Sequence, residues 1–181
     1  MSFDVVVSTG VHTDRAFKEL EICDCVSSVV DNVIGYRNIY VINCSPHTDK
    51  DLRLREGYEA VIFCATIPEA LCDFYLWVEP TVRFNKPISF MVSSSGPALW
   101  CWPNTVPAPR FALLNRTRVL ECAAWTCIAS NSVAGSPEGL MKYLEFMVKN
   151  YEKEILFHHL RGGTRKGDYD FIVLGAESRE T

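Results

Sequence analysis

The chain has 181 residues, 48% of them hydrophobic and 22% charged, enough for one domain with a sizeable core and too few for two ordinary ones. A net charge of -4 gives a nucleic-acid backbone no basic field to follow, and no stretch carries the Lys/Arg density of a polybasic arm. No apolar run approaches the roughly 20 residues of a bilayer span, and no charged segment precedes an apolar run at the start. The expectation is a cytoplasmic protein that binds neither membrane nor nucleic acid.

The first element is a buried strand from Phe3 to Val7, mostly β-branched or aromatic. It runs into Ser8-Thr9-Gly10-Val11-His12-Thr13, hydroxyls around one glycine. Thr13 can cap a helix whose apolar positions Phe17, Leu20, Cys23, Val26, Val30 and Val33 recur every three to four residues, with Gly35 ending it. Ile39 to Cys44 reads as a second strand. Tyr58 to Thr66 lacks the alternation of a half-solvated strand and so suits a central one covered on both faces.

Pro68 favours a first helical turn, predicting a helix to about Val78 with Leu71, Tyr75 and Val78 inward. Pro87 to Ser93 reads as the fourth strand, ending in Ser93-Ser94-Ser95-Gly96. Residues 97–109, with four prolines, Trp100 and Trp102, read as an excursion or lid more than an element. Phe111 to Leu114 adds a turn of helix, and Arg118 to Trp125 is the fifth strand.

Ser136-Pro137 starts the best helix, with Leu140, Leu144, Met147, Tyr151 and Ile155 as one stripe and Gly162-Gly163 closing it. Tyr169 to Gly175, inside an extension over residues 164–181, reads as an added edge strand. Together these predict a single-domain α/β fold, a doubly wound, mostly parallel five-stranded sheet.

Most of the eight cysteines stand in apolar runs, where free Cys acts as a small hydrophobe. Neither Cys23-Asp24-Cys25 nor Cys122 with Cys127 has zinc-ribbon or thioredoxin spacing, and His47, His158 and His159 fall at no useful interval from them, so no metal site is expected. His158-His159 suits the negative end of a helix dipole. Asn115-Arg116-Thr117 has the form of a glycosylation acceptor by chance. Nucleophile elbows, Walker-type phosphate loops and the dinucleotide glycine fingerprint are all missing.

In an open parallel sheet a ligand lies beyond the carboxyl ends of the strands, where strand order reverses. A strand that stops in small polar residues before a helix aims backbone N–H groups and a dipole at one spot, which suits a phosphate. The ends of strands one, three and four are the candidates.

At three places the chain resembles the flavodoxin-like family of flavodoxins and small NAD(P)H-dependent flavin and quinone reductases. These are Val5 to Thr13, like its FMN phosphate loop; Tyr58 to Thr66, like its third strand; and Lys86 to Gly96, like its fourth strand and glycine loop. The resemblance implies FMN, with Ser8, Thr9, Gly10, His12 and Thr13 around the phosphate. Thr66 and Ile67 would meet the ring edge, and Ser94, Ser95, Gly96 and Trp100 would close the other side. It further implies a flavin-dependent oxidoreductase or electron carrier, served by a nicotinamide cofactor or a redox partner protein, with a homodimer among its expected states. The residues equally suit a non-enzymatic scaffold of this fold that has lost its flavin and binds a protein partner through a free edge near Tyr169 to Leu174. Nucleotide or sugar-phosphate binding at the same loop is a third reading.

Overall fold

The computed structural model describes residues 2–8, 19–42, 60–64, 70–90, 98–101, 110–126, 137–158 and 160–174. In chain order the elements are β1 (Phe3–Ser8), α1 (Glu19–Asn32), β2 (Val33–Ile34), β3 (Tyr36–Ile42), β4 (Val61–Cys64), β5 (Phe74–Val78), β6 (Val82–Phe84) and β7 (Ile88–Ser89). There follow β8 (Ala98–Cys101), β9 (Phe111–Asn115), α2 (Arg116–Thr126), α3 (Pro137–Asn150), a 3-10 turn (Glu152–Glu154), β10 (Ile155–His158), β11 (Gly162–Gly163) and β12 (Phe171–Val173).

Seven strands form one sheet in the order β10-β8-β9-β5-β1-β3-β4. β1 pairs in parallel with β3 and β5, β3 with β4, and β8 with β10; only β9 runs against its neighbours. The α/β class and the mostly parallel sheet agree with the sequence, although seven described strands replace the five expected. β4, β3 and β1 come from the chain up to Cys64, and β5, β9, β8 and β10 from Phe74 onward. The β1/β5 ladder is the seam between them.

Alternation along the strands builds a core on each face of this sheet. Val5, Val7, Ile39, Val41, Leu76 and Val78 pack with Ile22, Val26 and Val29 of α1 and with Phe84 and Phe171. Val6, Tyr40, Tyr75, Trp77 and Leu114 pack with Val119 and Cys122 of α2 and with Tyr143, Leu144 and Met147 of α3. Strands covered on both sides need no polar face and read as continuous apolar runs.

That physics explains the corrections. The predicted helix up to Val78 is instead strand β5, whose residues Phe74-Tyr75-Leu76-Trp77-Val78 are all buried; an apolar run this short does not distinguish strand from helix by its period. Phe111 to Leu114 is likewise a buried strand, β9, and not a turn of helix. Conversely, Arg118 to Trp125 belongs to helix α2 and not to a strand. Asn115 starts that helix, its Oδ1 accepting from the N–H groups of Thr117 (3.0 Å) and Arg118 (3.3 Å) as an N-cap does. The apparent glycosylation acceptor is therefore a buried cap.

Tyr58 to Thr66 contributes β4, which lies at the end of the sheet order and is half-buried, with Ile62 40% exposed; it is not central. The expected fourth strand yields only β7, which pairs with β2 outside the main sheet; residues 91–93 lie outside the described residues. Ala98–Cys101, within the supposed excursion, is strand β8. The tail run is not an edge: β12 is the buried middle strand of a three-stranded sheet, between β11 and β6. Beside it, Gly163 and Gly167 back onto the Tyr169 ring, where a Cβ would stand 2.4 Å and 2.9 Å from its Cε2.

In α1, Cys23 and Val26 are buried as expected, but Leu20 is 65% exposed and Val33 has left the helix; the Thr13 cap lies outside the described residues. Leu144 and Met147 of α3 are buried, while Tyr151 and Ile155 follow the helix and Gly162-Gly163 form β11. Arg118 ties α2 to this junction: its Nε and Nη2 donate to Glu154 (3.2 and 3.1 Å), its Nη1 to Glu121 (2.9 Å), and its guanidinium lies 3.7 Å over the Tyr151 ring.

At the amino end of β1, Asp4 has no exposure to solvent. Its carboxylate accepts from Arg37 Nε (3.1 Å) and Nη2 (2.8 Å), and from the backbone N–H groups of Asn38 (3.1 Å) and Cys72 (2.8 Å). One side chain thus joins β1, β3 and the segment entering β5. Asp4→Ala leaves two backbone donors without their acceptor and should cost on the order of 3 kcal/mol. A lower urea midpoint at unchanged slope would show this; an unmoved midpoint would mean that the clamp is dispensable.

Candidate site at the carboxyl edge of the sheet

The chain leaves β1 for β3 and β4 on one side, then returns to β5 on the other side of β1. Strand order therefore reverses between β1 and β5, and the crevice expected of such a sheet lies beyond their carboxyl ends. Register places the groups there. Ser8 pairs with Ile42, and Ile42 with Cys64. On the other side Val7 pairs with Val78 and Val78 with Phe111, so the next residues out are Glu79 and Arg110. Cys64, Ile42, Ser8, Glu79 and Arg110 thus form one row across five adjacent strands. With neighbouring strands about 4.8 Å apart, Cys64 and Arg110 each stand about 10 Å from Ser8.

Of the residues proposed from sequence, Ser8 ends β1 in this row. Thr9, Gly10, His12, Thr13, Thr66, Ile67, Ser94, Ser95 and Gly96 lie outside the described residues. The Thr66 loop leaves from β4, two strands from β1, so the first and third strands are not neighbours. Trp100 pairs with Phe157 and Ala112 inside β8, three strands and about 14 Å from β1. His158 lies on β10, not at a helix end, and stacks on Phe90 at 5.7 Å between centroids; His159 lies outside the described residues.

The sequence reading passed over the most unusual feature of this edge. Glu79 and Arg110 side chains are each only 7% exposed and form an ion pair, with Arg110 Nη1 donating to Glu79 Oε2 at 3.0 Å. Thr81 Oγ1 donates to the other carboxylate oxygen at 2.8 Å, and the Glu79 N–H donates to the Arg110 carbonyl at 2.9 Å. Arg110 Nε is buried and has no hydrogen-bond partner among the described residues. The available signal was one charged residue at the margin of each apolar run, Glu79 after Phe74–Val78 and Arg110 before Phe111–Asn115. Nothing in the sequence pairs two residues 31 positions apart.

Cys25 of α1 donates weakly to the Glu79 carbonyl (3.8 Å). Burial pushes its thiol up to about 12, against the lowering effect of Arg83 and with help from Glu79 and Asp24. A protonated, buried thiol is no nucleophile. No group of metal-binding side chains occurs among the described residues. The edge therefore offers hydrogen-bond donors and fixed charge, which suit binding and orientation. The chain matches no protein-family model and no curated protein.

Glu79→Ala strands a buried guanidinium and should lower stability by roughly 3–5 kcal/mol, whereas the double variant Glu79→Leu/Arg110→Met should lose much less; equal losses in equilibrium unfolding would deny the pair any coupling. Alkaline pH gives a second expectation. The unfolded chain releases the Cys25 proton near pH 9, while the folded chain holds it to about 12, so stability is full below pH 9 and falls as pH rises toward 12. The slope from this group approaches about 1.4 kcal/mol per pH unit. Burial also raises Cys64, Cys72 and Cys122, so Cys25→Ala should flatten the decline without abolishing it. Tyr75 and Tyr143, also raised by burial, add their loss above pH 10. The difference in urea midpoint between wild type and Cys25→Ala, followed from pH 8 to 10, reports the Cys25 contribution.

Proposed function

We propose that this domain binds a phosphorylated cofactor with a heteroaromatic ring, FMN in the first place, in the crevice between β1 and β5, and that it serves as an oxidoreductase or electron carrier. The observation that carries this reading is the reversal of strand order at β1, the strand whose end, Ser8, opens the hydroxyl-rich loop. Backbone N–H groups of that loop and the hydroxyls of Ser8, Thr9 and Thr13 would hold the phosphate. When bound, the ring would supply hydride or electron transfer, while the protein supplies position and electrostatics.

Counted in chain order within the main sheet, the first four strands stand 3-2-1-4. Flavodoxin-like sheets run 2-1-3-4-5 and nucleotide-binding halves 3-2-1, yet both place the ligand at the reversal. The flavin assignment therefore draws on the loop more than on strand order, and a nucleotide is the second reading that this order favours. The partner-binding scaffold loses the free tail edge on which it leaned, because β12 is paired on both sides.

FMN should bind the purified protein with quenching of flavin fluorescence. Gly10→Glu with Thr13→Glu puts carboxylates at the phosphate position and should weaken FMN at least about tenfold, or 1.4 kcal/mol, with unchanged circular dichroism. Protein indifferent to millimolar FMN overturns the flavin reading, and ADP binding by that same protein would support the nucleotide.

A further inference from the structure

We draw no further inference here: the strongest candidate, the basic surface patch of Arg161, Arg165 and Lys166 on the loop between β11 and β12, holds Asp168 and Asp170 among its cations, and nothing in the structure shows what covers it.

Discussion

A carboxylate sealed from water holds the centre of this molecule together. Asp4 sits at the base of β1, where burial would be prohibitive without partners. It gains a bidentate guanidinium and two backbone N–H groups, drawn from β3 and from the segment that leads into β5. Since one residue of slippage exchanges the two faces of a strand, fixing β1 against both neighbours at one point also fixes which side chains meet α1 and which meet α2 and α3. The two cores inherit their composition from that register.

The opposite end of the same strands carries the second buried polar group, and the two differ in completeness. Every Asp4 contact ends on a donor that needs it, and the result is a clasp. The Glu79–Arg110 pair satisfies its carboxylate through Arg110 and Thr81, whereas Arg110 Nε has no acceptor among the described residues. Two buried polar networks thus stand at opposite ends of one sheet, and each fixes the strands that it joins.

Much of the architecture was legible where local signals were strong. The β-branched run at Phe3 and the amphipathic pattern from Pro137 gave their elements because period and composition agreed. Short apolar runs were the failure. Phe74–Val78 and Phe111–Asn115 are buried on both faces, and five such residues satisfy a helical stripe or a strand equally well. Proline at position 68 then tipped the first toward helix. Asn115 was the missed punctuation: read as a cap, it turns Arg118 to Trp125 from strand into helix. Strand order was beyond local reading altogether, because placing β5 and not β4 beside β1 depends on contacts distant in sequence. The polar pair was hidden for the same reason, each partner looking like an ordinary charge at the end of an apolar run.

The seam between β1 and β5 has a consequence for energetics. Two sets of strands, each assembled from its own part of the chain, meet there along one ladder, and the crevice proposed for the ligand lies at the end of that ladder. A molecule lodged in it would touch both sets at once. Its binding free energy would then add directly to the adhesion between them, so that occupancy and cohesion of the whole sheet rise and fall together.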